Sequence, residues 1–361
     1  MAKNERKKVF VAMSGGVDSS VAALLLSKNP EYDMVGIYMK GWSLTDCAEQ
    51  DATDARRAAG ALNVPFYVFD FEEEYKKRVV DYMISGYATG DTPNPDVMCN
   101  KEIKFGLFLK KALALGADYI ATGHYTRLCR EILNSKSQIP NKSKIKKFKH
   151  LNIENSCLFP IGDYIKPQVR ALAKKYQLPT AEKPDSQGVC FVGEIDVAGF
   201  LKEKLGKNPG PIKTMDGRII GTHDGVIFYT IGQRKGIGIK GSLPGEQGKI
   251  YFVAAKDIDS NTLWVAEGES EKLFSKELVV KNINWIYGTA PKFPLKCLAR
   301  IRYRQPLQSC LIKINGNLSY PNDRFYSINV VFDNPQRAIT PGQSAVFYDK
   351  SGAMLGGGVI V

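Results

Sequence analysis

The sequence predicts an α/β protein: an N-terminal doubly wound parallel sheet, then a small β-rich central domain and a C-terminal β-barrel. Two observations carry this. Residues 8–125 alternate β-type apolar runs with segments of helical periodicity, the pattern of strand–helix–strand units in a parallel sheet. From about Gly206 the texture changes to short β-type runs separated by turn residues, as in small sheets and barrels. With 361 residues the chain exceeds the roughly 250–300 at which single cores stop growing, so two or three domains are expected.

The first strand is expected over 9–13, where Val9, Phe10 and Val11 form a β-branched and aromatic run. A helix is expected over 17–27, with Val21, Leu24 and Leu25 at helical spacing. Strands follow at 34–39, 65–69 and 119–122, with helices between them. Phe105, Phe108, Leu109, Ala112 and Leu113 recur at i, i+3, i+4, i+7 and i+8, which makes them one buried helix face with no catalytic role. That helix is expected to start near Lys101. Residues 131–156 break the pattern. Lys136, Lys142, Lys144, Lys146, Lys147 and Lys149 sit there among Ser, Asn and Pro140, so a mobile basic loop is expected.

In the second half, strands are expected at 226–230, 250–254, 263–266, 299–303, 307–313, 326–332 and 345–348, with Asn315-Gly316 as a hairpin turn. The expected domains are 1–205, 206–272 and 273–361. Asn208-Pro209-Gly210-Pro211 opens the second, and a fresh run of strands begins after Leu273.

Composition excludes several classes. Hydrophobic content of 44% and charged content of 24% are ordinary for a globular chain, and no apolar stretch approaches the ~20 residues of a membrane span. The polar stretch from Met1 to Lys8 runs straight into a strand without the apolar region of a signal peptide, so a cytoplasmic location is expected. The seven cysteines, at 47, 99, 129, 157, 190, 297 and 310, include no Cys-x-x-Cys, which argues against a structural zinc or iron–sulfur site. A net charge of +13 favours a polyanionic partner such as nucleic acid.

The densest chemical signal is Ala12-Met13-Ser14-Gly15-Gly16-Val17-Asp18-Ser19-Ser20, between the first strand and the first helix. Glycines there let backbone N–H groups approach a ligand, and the helix N-terminus adds unsatisfied donors and a positive dipole end, so the junction suits phosphate. A kinase-type phosphate loop would need a lysine after the glycines, and a dinucleotide fingerprint a Gly-x-Gly-x-x-Gly spacing; both are absent. Read alone, the string is also compatible with a structural turn in which Asp18-Ser19 caps the helix.

Two cysteines stand apart from the rest. Cys99 follows Asn94-Pro95-Asp96-Val97-Met98, and Cys190 ends Asp185-Ser186-Gln187-Gly188-Val189. Both are expected in loops. Cys99, just before a helix start rich in lysine (Lys101, Lys104), is expected to have its thiol pKa depressed from about 8.5 toward neutrality. Cys129, Cys157, Cys297 and Cys310 read as small buried hydrophobes. His124 reads as a structural hydrogen-bonding residue at a strand end, and Asp96 on residue type alone as a turn carboxylate capping a helix.

These motifs, in order, resemble those of the tRNA-specific 2-thiouridylases of bacterial and organellar type, within the ATP-pyrophosphatase superfamily, over nearly the full length. The matching strings are Ser14-Gly-Gly-Val-Asp-Ser19, Asn94-Pro-Asp with Cys99, Thr122-Gly-His-Tyr125 and Leu158-Phe-Pro with Val169-Arg-Ala-Leu-Ala173. Asp185-Ser-Gln-Gly-Val-Cys190-Phe, Tyr229-Thr-Ile-Gly-Gln-Arg-Lys-Gly236, Arg302-Tyr-Arg-Gln305 and Ala338-Ile-Thr-Pro-Gly-Gln-Ser-Ala-Val-Phe-Tyr348 complete them. The resemblance implies ATP-dependent 2-thiolation of the wobble uridine of tRNA.

ATP, with Mg²⁺, would bind on Ala12, Met13, Ser14, Gly15, Gly16, Val17, Asp18 and Ser19, with Met39 and Gly123 lining the adenosine. The target base would enter beside Asn94, Pro95 and Asp96, extruded from its stack. Cys190 would carry a persulfide received from a sulfur-donor protein, Cys99 would attack it and finish as a Cys99–Cys190 disulfide, and Asp96 would serve as acid or base. Arg302 and Tyr303 would touch tRNA.

The match fails between Tyr125 and Leu158, where the family carries a Lys-Asp-Gln-Ser-Tyr-type motif near the target base and this chain has none. Either the lysine segment substitutes electrostatically, or part of the site is lost and the chain is a tRNA-binding protein of the same fold with little or no activity. Another adenylating ATP-pyrophosphatase is the remaining class; it would not need two loop cysteines. If the lysines substitute, replacing Lys144, Lys146 and Lys147 by Ala weakens tRNA binding and flattens its salt dependence; unchanged binding counts against the substitution.

Overall fold

A computed structural model describes residues 6–44, 47–128, 153–184, 197–239, 248–303, 305–315 and 327–361. Cys129, Cys190 and nearly all of the 131–156 lysine segment lie outside the described residues. The chain forms two compact units. One runs to Asp81 and resumes over 95–128 and 153–184; the other holds Tyr82–Asn94 and the described residues from Ala198 onward.

The first unit is built from β1 (Lys7–Ala12), α1 (Val17–Ser27), β2 (Tyr32–Lys40), α2 (Cys47–Ala61), β3 (Phe66–Asp70) and α3 (Glu72–Tyr75), which runs into a π-helical stretch, Lys76–Val80. α4 (Asp81–Ala88) leads into the other unit. The chain returns as α5 (Pro95–Met98), continues as a second π-helical stretch, Cys99–Phe108, and ends that helix as α6 (Leu109–Ala114). β4 (Tyr119–Ala121), α7 (Ile153–Ser156), β5 (Cys157–Leu158) and α8 (Lys166–Lys175) complete the unit. The five strands are parallel, in the order β3-β2-β1-β4-β5.

β1 lies at the centre, and Val9 and Val11 are fully buried, as a strand covered on both faces requires. α1 is apolar nearly all round because it too is covered on two sides. Ala23 and Leu26 pack with Ala55, Ala58 and Ala59 of α2, while Val17, Val21 and Leu24 pack with Val169 and Ala173 of α8. Cys157 is buried as expected, and burial pushes its thiol up to about 12.

In the second unit α9 (Val197–Leu205) precedes a sheet of β6 (Gly210–Thr214), β7 (Ile219–His223), β8 (Tyr251–Asp257) and β9 (Thr262–Glu267), ordered β7-β6-β9-β8. A closed barrel follows, made of β10 (Phe274–Trp285), β11 (Leu295–Arg300), β12 (Gln308–Asn315), β13 (Ser327–Arg337), β14 (Ser344–Tyr348) and β15 (Met354–Ile360). Val280, Ile312, Ile328, Val330 and Phe347 fill its interior. Cys297 and Cys310 face each other across β11 and β12 as buried thiols, 3.6 Å between sulfurs. Among the described residues no helix is long and apolar enough to cross a membrane.

Four local expectations are corrected. The helix expected near Lys101 begins at Pro95, because proline fits the first helical turn and Asp96 there favours the dipole, so Cys99 is helical and not in a loop. Residues 226–228 form a 3₁₀ turn, not a strand. Gly225 (φ 151°) breaks the extended path, and the Val226 N–H goes to Asn261 Oδ1 (3.3 Å), outside any ladder. Asn315 pairs with Ser327, so β12 and β13 are not joined by an Asn315-Gly316 turn. β11 stops at Arg300, which leaves Arg302 and Tyr303 in the turn beyond it.

Within the second unit the segment before Asn94 is held by backbone and side-chain bonds. The Thr92 N–H donates to Pro341 O (2.9 Å), Gln343 Nε2 to Thr92 O (2.7 Å) and Lys256 Nζ to Gly90 O (2.5 Å). Burial lowers the Lys256 ammonium to about 8 from its ordinary 10.5, with Asp91 opposing. Between those values the unfolded chain binds the extra proton, so stability of the wild type rises as pH goes from about 8 to about 10.5. Chemical denaturation across that window should show the rise and show it flattened in Lys256→Met; parallel curves would exclude Lys256 as its source.

Candidate active site

The strand order of the first unit reverses between β1 and β4, and the carboxyl ends of such a neighbouring pair open the crevice where open α/β sheets take ligands. The turn after β1 brings Ala12, Met13, Ser14, Gly15 and Gly16 to the start of α1, while the turn after β4 brings Thr122, Gly123 and His124. The two turns touch. A Cβ on Gly123 would lie 2.7 Å from Ser19 N and 2.8 Å from Asp18 C, so only glycine allows the contact. Gly15 has φ 77°, and a Cβ there would meet Asp51 O at 2.3 Å. Met39, half-buried, lies two positions past Ile37, which pairs with Ala12, so it shares this edge of the sheet.

The start of α1 is organised from within. Gly16 is the N-cap and no side chain caps it. The Ser19 and Ser20 hydroxyls donate back to Gly16 O (3.1 and 2.9 Å), and the Ser14 N–H donates to Ser19 Oγ (3.1 Å). Val17 is buried beneath. A helix start with no side-chain cap, glycine-lined and at a crevice, fits an anionic ligand such as a phosphate chain.

Sequence reasoning missed the cations around it. Lys166, the first residue of α8, places Nζ 2.9 and 2.8 Å from the two Asp18 oxygens, and the Tyr125 hydroxyl donates to Asp18 Oδ1 at 2.7 Å. A separation of 148 positions left no spacing signal to find. Lys183 Nζ lies 2.7 Å from Asp51 Oδ1 and 2.6 Å from Asp54 Oδ2, and Arg170 Nη1 donates to the carbonyls of Ala181 (3.0 Å) and Lys183 (2.9 Å). These bonds anchor the chain at Lys183, beside the residue whose carbonyl abuts Gly15.

Pro95 and Asp96 open α5 and Cys99 starts the π-helical stretch, one turn on from Asp96 and on the same face. Cys99 is buried and lies one turn inside the helix that Pro95 opens, not just before a helix start. Asp96 remains exposed to solvent on one side, and partial burial raises its carboxyl above the ordinary value while Lys104 pulls it back. Lys104 is thus a cation that acts on Asp96, whereas Lys101 lies against Glu102 at 3.4 Å.

One contact ties this helix to the crevice. His124 Nε2 meets Asn100 Oδ1 at 3.2 Å and its Nδ1 meets Thr122 Oγ1 at 2.8 Å, with Phe105 and Phe159 against the ring. Cys99 therefore neighbours a residue bonded to the turn that contacts α1. Burial, then the Lys104 charge, lowers the imidazole to about 4, so His124 is a neutral structural group as the sequence suggested. Among the described residues no group of three or more His, Cys, Asp or Glu forms a metal site.

Arg302 and Tyr303 belong to the second unit, as does Asn94. Arg302 is exposed and its Nη2 donates to Ala338 O (2.9 Å), and Tyr303 is 87% exposed.

Three family models cover the chain: a tRNA methyl transferase HUP domain over residues 7–194, a tRNA methyl transferase PRC-barrel domain over 198–267 and an aminomethyltransferase beta-barrel domain over 275–360. The chain is similar to the tRNA-specific 2-thiouridylase MnmA of Geobacillus thermodenitrificans (strain NG80-2), 44% identical over 98% of this chain and 94% of that protein. The protein of that name from Streptococcus mutans serotype c (strain ATCC 700610 / UA159) is 43% identical over 100% and 96%. Among solved structures, the U34-tRNA thiolase NcsA from Methanococcus maripaludis with its [4Fe-4S] cluster aligns at TM-score 0.36 and 17% identity, over 55% of this chain and 68% of that one.

His124 has a pH signature. Its folded value of about 4 lies below the ordinary 6.5, so the stability it contributes is present above pH 6.5 and is lost as pH falls toward 4. Thermal melting between pH 7 and pH 4 should show a smaller loss in His124→Gln than in the wild type; equal losses would assign the acid sensitivity elsewhere.

Proposed function

Because the chain belongs to the tRNA-specific 2-thiouridylase family, we propose that it is a tRNA-uridine 2-sulfurtransferase, thiolating the 2-position of the wobble uridine at the expense of ATP. One observation supports this above the others. The uncapped start of α1 touches the Thr122–His124 turn, and His124 is bonded through Asn100 to the helix that carries Asp96 and Cys99. A phosphate-receptive helix end, a carboxyl group and a thiol thus belong to one connected piece of structure.

ATP would lie with its phosphates on the backbone N–H groups of the 14–19 loop, and Lys166, held by Asp18, would supply positive charge as pyrophosphate leaves. Met39 and Gly123 would border the adenosine. Asp18 would be the carboxylate that helps to hold Mg²⁺ brought with ATP, and the ion would supply positive charge toward the phosphates. The uridine, flipped out beside Asn94, Pro95 and Asp96, would attack the α-phosphorus through its 2-oxygen and release pyrophosphate.

The terminal sulfur of a Cys190 persulfide would then bond to C2, and AMP would depart with the carbon–oxygen electron pair. Cys99 thiolate would attack the Cys190 sulfur, break the sulfur–sulfur bond and leave the sulfur on the base. The two cysteines end as a disulfide, two thiols having supplied the electrons that reduce sulfane sulfur, and an external dithiol would restore them. Asp96, with its raised pKa, would carry the proton that moves on the base. Cys99 starts buried, so access to it is created when the base is bound. A sulfur-donor protein would load Cys190, tRNA would extend to Arg302 and Tyr303, and we place the enzyme in the cytoplasm. The division into 1–205, 206–272 and 273–361 serves as the working domain scheme.

The test is incubation of unmodified tRNA with ATP, Mg²⁺, a sulfide source and the protein, followed by nucleoside mass analysis. The wild type should form 2-thiouridine, Cys190→Ser none, and Asp96→Asn about 10²–10⁴-fold less, with tRNA still bound. Binding of tRNA without AMP release or thiolation in the wild type would overturn the proposal in favour of a non-catalytic tRNA-binding protein.

A further inference from the structure

Two of the sequence strings have no role in the chemistry above, and in the second unit both converge on Thr92. This buried residue is met by the turn Thr340-Pro341-Gly342-Gln343 and by the turn that holds Thr230. Its N–H donates to Pro341 O (2.9 Å), its carbonyl accepts from Gln343 Nε2 (2.7 Å), and its hydroxyl donates to Thr230 Oγ1 (3.4 Å). The Thr340 hydroxyl reaches Ile231 O (3.4 Å) and so ties the two turns to each other. Gly342 has φ 89°, and a Cβ there would lie 2.7 Å from Thr92 C and 2.8 Å from its N and O. The turn therefore lies flat on the Thr92 backbone, with no room between them for a ligand.

Beyond Thr92 the chain has little freedom. In Thr92-Pro93-Asn94-Pro95 each proline fixes its own φ at about −65° and keeps the residue before it out of the helical region. Pro93 is buried and its ring sits on Gly86 of α4, where a Cβ would lie 2.9 Å from Pro93 Cγ. Asn94 is then two Cα steps, about 7 Å, from the residue that the barrel holds. A displacement of the Thr92 carbonyl is passed along this stiff arm instead of being absorbed by it. The turn itself is fixed independently of the Gln343 side chain: the Gly342 N–H donates to Ile360 O (2.9 Å) and the Ile360 N–H to Gln343 O (2.8 Å). Backbone bonds thus hold the turn on β15, and the Gln343 amide is directed at Thr92.

We propose that Gln343, on the C-terminal barrel, is a positioning residue for the target base: by holding the Thr92 carbonyl it sets where Asn94 stands when the flipped uridine arrives. The inference rests on the reading of Asn94 as a residue that receives that base, and adds to it Gln343 and the Gly342 turn. The role is positional because Thr92 covers the turn, and a buried carbonyl that loses its donor shifts to find another. A misplacement of about 1 Å at a residue that orients a substrate can cost about 10²-fold in rate, so one amide on the barrel is enough to govern the rate of thiolation.

The experiment measures initial rates of 2-thiouridine formation by the full chain over tRNA and ATP series, at a temperature where circular dichroism shows every variant folded. Gln343→Met, close in shape but without a donor, should lower kcat about tenfold and leave the KM for ATP unchanged, since the glycine loop lies in the first unit. Gln343→Glu, an acceptor facing the same carbonyl, should lose at least as much. Gln343→Lys, whose ammonium can donate to that carbonyl, should recover most of the rate. In the double variant Asn94→Ala/Gln343→Met the rate should fall no further than in Asn94→Ala. Ile312→Val, a truncation in the barrel interior, should keep the wild-type kcat. Wild-type kcat in Gln343→Met and Gln343→Glu, an equal loss in Ile312→Val, a raised KM for ATP, no gain in Gln343→Lys over Gln343→Met, or a double variant slower than Asn94→Ala would each overturn the positioning role while leaving the thiolation reading in place. No thiolation by the wild type would overturn both.

Discussion

A backbone-to-backbone contact at Gly123 governs the arrangement of the first unit. The turn after β4 can reach the first turn of α1 only because nothing projects from that residue; a methyl group would stand 2.7 Å from Ser19 N. That contact brings together the ends of two central strands, and with them the residues that follow each. Gly15 repeats the solution on the other flank, where α2 presents Asp51 O. Glycine is placed here for the space it leaves, which neighbouring backbone fills.

Around this contact the charged groups form pairs that cross the sequence. Asp18 draws in Lys166 and Tyr125, and Asp51 and Asp54 draw in Lys183. Each cation is brought to the loop by a carboxylate that sits beside the glycines. A partly exposed ion pair of this kind contributes at most about 1 kcal/mol to stability, so its larger effect is positional: it sets where positive charge stands when an anion arrives.

Much of the fold was legible because it follows from local periodicity. The first four strands and α1 stand within a residue or two of where apolar runs and helical spacing place them, since a parallel strand buried on both faces must be continuously apolar. What failed was decided by contacts rather than pattern. The helix before Cys99 starts early because Pro95 and Asp96 suit a first turn, residues 226–228 leave the extended state because Asn261 takes a backbone donor, and the β12–β13 register is set by pairing across the barrel. The same division applies to the site. The glycine loop, Asp96 and Cys99 announce themselves by residue type and neighbours, whereas Lys166 gains meaning only from where folding carries it.

Thr92 lies in a stretch, 82–94, that belongs to the second unit although the chain on either side of that stretch belongs to the first. Its carbonyl accepts from Gln343, 251 positions later. During synthesis at about 5–20 residues per second, the stretch 82–94 therefore waits on the order of 10–50 s for the strands that complete its hydrogen bonds. The N-terminal sheet can assemble in that interval, whereas the stretch 82–94 completes these hydrogen bonds only when the C-terminal barrel has emerged.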